Sequence, residues 1–191
     1  MCEKDLLRAR IKKLLENTNK EDFLSQGVRA AALLSSLQYW LETKSILIFI
    51  SLANEINTNP IIKMALEQGK KVYIPRQENG KIRFYHYSSL DLPLVLGEYG
   101  IKEPHTGEIY SPQWQNGENA LILTPGLAFG SKGERLGRGK GFYDKFFKEL
   151  DAKGSKYTAV GLCMDFQLIE NIPMEKHDKK MEAVLTGSEF I

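Results

Sequence analysis

Cysteine is nearly absent. The 191-residue chain holds Cys2 and Cys163 alone, too few for a disulfide framework or a thiolate metal site. Long apolar runs are missing as well. Ile46–Ile50 spans five residues, against the roughly 20 that a membrane-spanning helix needs. No leader of basic, then apolar, then small residues opens the chain, so a reducing cytoplasm is the expected compartment, with no membrane partner. Histidine is scarce. His86, His105 and His177 show no metal-ligand spacing, which argues against zinc, and His86 and His105 read as surface residues. Charge of one sign is not in excess either: the net charge is +2, which excludes a polycation.

What is present fits a soluble globular protein. Hydrophobic residues make up 42% and charged residues 26%, outside the range of disordered chains. The length predicts one domain over residues 1–191. Helical and short apolar segments alternate, which predicts an α/β fold of three α/β/α layers around a mostly parallel sheet. Leu6, Leu7, Ile11, Leu14 and Leu15 recur at helical spacing in a helix over about Glu3 to Asn17, and a second helix is expected over about Lys20 to Leu41. Ile46–Leu52 reads as a buried strand. Asn59, Pro60 and Gly69 bracket a helix. Further strands are expected at Lys71–Pro75, Ile82–Tyr87, Ala120–Thr124, Tyr157–Leu162 and about Ala183–Thr186, with a helix at Phe142–Leu150 and a long loop over residues 88–118. Cys163 reads as a small buried residue on a strand. Parallel sheets bind ligands at the carboxyl ends of their strands, where Ser51–Glu55, Pro75–Arg76 and Pro125–Gly141 begin.

The charge is unevenly placed. Residues 131–148 carry a net +4 within a chain of +2, which suits an anionic small molecule. In this block Gly137, Gly139 and Gly141 alternate with Arg138 and Lys140, and Arg135 lies just upstream. Glycine permits positive φ and close approach of the backbone to a ligand. A turn of this kind aims N–H groups at phosphate oxygens, and the helix starting near Phe142 adds its positive dipole end. Asp144, one turn into that helix, is placed for a phosphate-bridging Mg²⁺. The segment is no Walker A loop, because Gly141 follows Lys140, and its spacing is not a dinucleotide fingerprint. Two other readings stay open: a surface turn with solvated lysines, and a basic contact for nucleic acid. Most of Phe142, Tyr143, Phe146, Phe147 and Leu150 read as the buried face of the helix.

The run Arg135-Leu-Gly-Arg-Gly-Lys-Gly-Phe-Tyr-Asp144 resembles the signature of the 5-formyltetrahydrofolate cyclo-ligase family, and further matches follow in order along nearly the whole chain. The resemblance implies a nucleotide-binding segment of Lys4, Asp5, Leu6, Leu7 and Arg8. It implies a second one of Arg135, Leu136, Gly137, Arg138, Gly139, Lys140, Gly141, Phe142 and Tyr143. It implies a pocket for a reduced folate at Ile50, Glu55, Arg76, Tyr99 and Glu103, shared with Arg138 to Phe142. Glu55 would take the pterin N–H edge, since a carboxylate offers two acceptors. Arg76 equally suits a structural salt bridge. The pair His177-Asp178 implies a second magnesium acid, Asp178 beside Asp144.

Gly130-Ser131 stand where the family commonly has Asp, Tyr99 where some relatives have Trp, and Glu182 where some have Asp. The implied reaction is ATP- and Mg²⁺-dependent closure of 5-formyltetrahydrofolate to 5,10-methenyltetrahydrofolate, releasing ADP and phosphate, with Arg138 and Lys140 catalytic. Another ATP-using small-molecule ligase or kinase on the same scaffold is the alternative, beside the nucleic-acid contact. The expected partner is the reduced folate, with no nucleic acid and a monomeric chain.

Overall fold

The computed structural model describes residues 2–111, 119–175 and 178–191, without the side chain of Tyr99. The elements run α1 (Glu3–Glu16), α2 (Lys20–Ser35), α3 (Gln38–Glu42), β1 (Ser45–Ile48), α4 (Asn59–Glu67), β2 (Lys71–Glu78), β3 (Lys81–His86), β4 (Leu94–Leu96), β5 (Lys102–Pro104), β6 (Ala120–Thr124), β7 (Ala128–Gly130), β8 (Arg135–Leu136), α5 (Phe142–Ala152), β9 (Tyr157–Leu162), β10 (Leu168–Ile169) and β11 (Ala183–Leu185).

The central sheet has the order β11-β9-β6-β1-β2-β3. All its pairs are parallel except β2 with β3, at one edge. Strand alternation sorts side chains to two faces. Ile46 and Ile48 of β1 join one core cluster with Ile11, Leu34, Trp40 and Ile62 of the first four helices. Leu47 joins another with Phe147 and Leu150 of α5. The result is the expected three-layer α/β/α arrangement around a mostly parallel sheet. The aromatic residues of α5 divide between core and rim: Phe147 is fully buried, while Phe142, Tyr143 and Phe146 pack partly against the same cluster.

Four stretches differ from the sequence reading. The helix expected over Lys20 to Leu41 is broken at Ser36-Leu37. Ser35 and Ser36 turn their hydroxyls back onto the carbonyls of Ala32 and Leu33, at 2.7 and 3.0 Å, and such bonds compete with the helical ladder. Leu37 is extended, and the chain re-enters as α3 so that Trp40 is fully buried. The strand expected over Ile46–Leu52 ends at Ile48, because Phe49 and the residues after it peel away to form a loop. The loop expected over residues 88–118 contains the β4–β5 hairpin, with Leu94 opposite Pro104 and Leu96 opposite Lys102. Its strands have three residues each and leave Val95 and Leu96 exposed, so no buried alternation marked them. The glycine-rich segment contains β7 and β8, which pair with each other, and β7 also pairs with β10.

The loop after β1 is braced from below by α2. The Asn57 N–H donates to the Phe23 carbonyl at 3.1 Å, and a methyl group on Gly27 would lie 2.2 Å from the Asn57 carbonyl oxygen. Alanine ordinarily stabilises a helix interior relative to glycine, but this contact reverses the sign. Gly27→Ala is expected to lower the unfolding free energy by about 1–3 kcal/mol, read as a reduced urea midpoint. An increased midpoint would show that α2 does not bear on this loop.

Candidate active site

In a doubly wound sheet the ligand crevice lies where strand order reverses, beyond the carboxyl ends of the strands. Here the chain moves from β1 outward to β2 in one direction and reaches β6, β9 and β11 in the other. The loops leaving β1 and β6 therefore part at this point. Between them opens a cleft of about 590 Å³.

The β1 loop is fixed by Ser51. Its hydroxyl donates to the Ile56 carbonyl at 2.7 Å and accepts the Thr58 N–H at 2.8 Å. Glu55 folds back within this turn, and its Oε2 accepts the Leu52 N–H at 3.0 Å. The β6 loop first forms the β7–β8 hairpin, whose turn needs Gly133, at φ +79° and within contact of the Met181 carbonyl. Glycine at 130 also has a local reason: a side chain there would meet the Glu134 carboxylate, which accepts the Lys132 N–H. After β8 the alternating glycines line the cleft, with Gly139 and Gly141 both at positive φ, and Gly141 leads into α5.

Three cationic side chains form ion pairs along the cleft. Arg138 Nη2 from the glycine segment lies 2.6 Å from Glu55 Oε1 of the β1 loop. Arg135 Nη2 lies 2.7 Å from Asp144 Oδ1, with the arginine side chain 5% exposed. Lys4 Nζ of α1 lies 2.7 Å from Asp178 Oδ2 and 2.8 Å from Glu175 Oε1. Burial alone would lower the Lys4 pKa, but these two acids outweigh it and hold the ammonium above its ordinary range. Arg8 Nε donates to the Gly137 carbonyl at 3.1 Å, which docks α1 onto the glycine segment. Burial raises the Glu103 carboxyl above the usual carboxylate range, against the Gln77 N–H that it accepts at 3.1 Å. Tyr143 is pushed up by burial, and its hydroxyl has no hydrogen-bond partner among the described residues.

Asp144 and Asp178 belong to adjoining strips of chain, since the Lys179 N–H lies 3.5 Å from Asp144 Oδ1. No group of three or more His, Cys, Asp or Glu side chains forms a metal cage among the described residues. Two carboxylates suit Mg²⁺, which keeps several waters and takes its other ligands from phosphate. The donor set therefore fits an ion that arrives with a nucleotide.

The cleft gathers Lys4, Arg8, Ile50, Glu55, Glu103, the run from Arg135 to Tyr143, Asp144 and Asp178. It does not gather Asp5, Leu6, Leu7 or Arg76. Helical phase sets Leu6 and Leu7 off from Lys4 and Arg8. Asp5 pairs with Arg8 at 2.8 Å, Leu6 is exposed, and Leu7 packs on the core. Arg76 takes the structural option, donating to the carbonyls of Pro104 and His105 and lying 3.4 Å from Glu78. The Tyr99 side chain and His177 lie outside the described residues. His105 is exposed, whereas His86 is half-buried with its ring 5.5 Å from that of Tyr73. Cys163 follows β9 and is buried, and burial raises its thiol pKa. Lys12, Gln77 and Glu175 also line the cleft and were not singled out from the sequence. Of these, Lys12 continues the four-residue spacing of Lys4 and Arg8 and was open to that reading.

Fold and cleft thus define an α/β protein with a glycine-rich, cation-lined crevice at its strand-order switch point. The family model described as 5-formyltetrahydrofolate cyclo-ligase matches residues 1–187. A 5-formyltetrahydrofolate cyclo-ligase of Mus musculus is 33% identical over 94% of this chain and 91% of its own. One of Saccharomyces cerevisiae is 30% identical over 98% and 96%. The solved structure of Aquifex aeolicus 5,10-methenyltetrahydrofolate synthetase superposes with a TM-score of 0.82 at 27% identity, covering 99% of this chain and 92% of that one. The chain belongs to the 5-formyltetrahydrofolate cyclo-ligase family and is an enzyme of the ligase class.

Arg135 is the most buried of the three cations, and removing one partner of a buried pair leaves the other charge uncompensated. Arg135→Met is expected to cost about 3 kcal/mol of stability in urea unfolding. A loss below about 1 kcal/mol, the range of exposed pairs, would assign Arg135 to ligand binding alone.

Proposed function

We propose that this enzyme closes 5-formyltetrahydrofolate to 5,10-methenyltetrahydrofolate at the expense of ATP, releasing ADP and phosphate. The observation that carries the reading is the contact of Arg138 with Glu55 at 2.6 Å. It brings the phosphate-type loop and the carboxylate suited to a pterin edge into one cleft.

The formyl oxygen is a poor leaving group as it stands. Transfer of the γ-phosphoryl group to that oxygen makes it a good one. Nitrogen 10 then attacks the formyl carbon, its proton passes to solvent, and phosphate departs with the oxygen. Phosphoryl transfer needs alignment and charge neutralisation more than covalent help from the protein. The backbone N–H groups of residues 137–141 and the Arg138 and Lys140 side chains supply both at the transferred group. Lys4 and Arg8 neutralise the remaining phosphates from α1. Asp144 and Asp178 would hold Mg²⁺, which supplies further charge neutralisation on the phosphate oxygens. Glu55 accepts the pterin N–H donors, and Ile50, Glu103 and Phe142 complete the pocket. Arg138 is 38% exposed where it meets Glu55, so exchanging that contact for ligand contacts costs no more than about 1 kcal/mol.

The cations turn into a cleft and are met there by acids, which supports a small anionic ligand over a nucleic-acid face. No helix among the described residues is long and apolar enough to cross a membrane. The proposed setting is the cytoplasm, with the chain acting as a single domain and a monomer.

Absorbance of the methenyl product in a mixture of protein, ATP, Mg²⁺ and 5-formyltetrahydrofolate tests the reading. Folded protein that forms no product would contradict it. Lys140 is exposed, so Lys140→Ala is expected to keep its thermal midpoint while turnover falls by on the order of 10²–10³. Near-normal turnover would remove Lys140 from the chemistry.

A further inference from the structure

The segment that carries Asp178 is laid against α5 by the next residue. The Lys179 N–H lies 3.5 Å from Asp144 Oδ1, and the Lys179 ammonium lies 3.2 Å from Asp151 Oδ2. Asp144 and Asp151 are seven residues apart in the sequence, which sets them on one face of α5, about 10 Å apart along its axis. One lysine thus meets the helix at two points, two turns apart. Tyr157 of β9 completes the grip. Its hydroxyl donates to Asp151 Oδ1, and the Lys179 ammonium lies 5.2 Å from its ring centre. That ring stacks on Phe147 at 5.6 Å, and Phe147 is fully buried, so the far end of the grip rests on the core. Burial alone would lower the Lys179 pKa, but Tyr157 and Asp151 outweigh it and hold the ammonium above its ordinary range.

The fold anchors this segment elsewhere without Lys179. The Met181 N–H donates to the Gly133 carbonyl and the Glu182 N–H to the Ala159 carbonyl, each at 2.8 Å. Lys179 and Asp151 are 30% and 49% exposed, and an ion pair so placed adds little to stability. What the grip does fix is the offset of Asp178 from Asp144. Two carboxylates from separate segments share one Mg²⁺ only at a set spacing, because the ion demands near-octahedral geometry with short bonds to oxygen. Groups that orient metal ligands therefore govern affinity for the metal. Lys4 and the Glu175 N–H hold Asp178 from the other side. Lys4 is the cation proposed to meet phosphate, so a nucleotide competes for it. Lys179 stands outside the cleft lining and has no such competing duty.

We propose that Lys179 is a positioning residue: clamped on Asp151 and Tyr157, it holds Asp178 at the spacing from Asp144 that a magnesium ion needs. This rests on the magnesium reading of the two acids and adds to it the device that sets their separation.

Calorimetric titration of ADP into the full chain, over a series of Mg²⁺ concentrations and in EDTA, tests the proposal. As a bare positive charge near the site, Lys179 would repel the ion, and its loss would tighten magnesium binding. As a positioning residue, its loss weakens it. Lys179→Met is expected to raise the Mg²⁺ concentration that half-saturates the gain in ADP affinity about two- to fivefold, the worth of a partly exposed ion pair, while the Kd for ADP in EDTA stays within about twofold. Asp151→Ala breaks the same contact from α5 and should give the same shift, and the double variant should give no more than either alone. Lys179→Arg should restore the wild-type value. A half-saturating concentration that is unchanged or lower in Lys179→Met, an unshifted Asp151→Ala, or a matching rise in the Kd for ADP in EDTA would overturn the assignment while wild-type binding still gained from Mg²⁺. Wild-type binding of ADP that gains nothing from Mg²⁺ would overturn the magnesium reading of Asp144 and Asp178, and the Lys179 role with it.

Discussion

Opposite charges facing each other across one cleft are the constraint on which the site depends. Each acid suited to the pterin or to magnesium meets a cation suited to phosphate: Glu55 with Arg138, Asp144 with Arg135, and Asp178 with Lys4. The Arg138 and Lys4 pairs join segments distant in sequence, whereas the Arg135 pair lies within one segment. They differ in how readily they give way. Arg135 is almost fully buried, and a buried pair separates only at high cost. Arg138 is more than a third exposed, and water screens its attraction. The rigid pair therefore anchors the base of α5, while the looser one gives way more readily.

The fold sets this up through strand order. Because β1 and β6 are neighbours and the chain departs from them in opposite directions, their following loops can supply opposite charges to one space. α1 closes the third side by the bond from Arg8 to the Gly137 carbonyl. Its cationic stripe of Lys4, Arg8 and Lys12 then runs along the cleft from Asp178 to the margin.

Much of this was readable in the sequence. Short, fully buried strands such as Ala120–Thr124 need continuous apolar runs, and the glycine-rich segment advertised itself by composition. The resemblance carried Glu55, Glu103 and Asp178, the last of which alone reads as an ordinary loop acid. What escaped was set by tertiary contact. Ser35 and Ser36 break a helix that is apolar on one face throughout. The β4–β5 hairpin is too short and too exposed to show periodicity. Arg76 sits at a strand end suited to ligands, yet its hydrogen bonds to Pro104 and His105 depend on a hairpin that the sequence did not announce. The pairing of Asp5 with Arg8, by contrast, follows the three-residue helical spacing that the sequence displays.

The central claim is that Gly137, Gly139 and Gly141 wrap a nucleotide's phosphates beside Glu55. A crystal of the protein soaked with ADP and Mg²⁺ addresses it most directly. The account predicts phosphate density against the backbone N–H groups of residues 137–141, with the Arg138–Glu55 contact lengthened. Nucleotide bound elsewhere, with this segment facing open solvent, would contradict it.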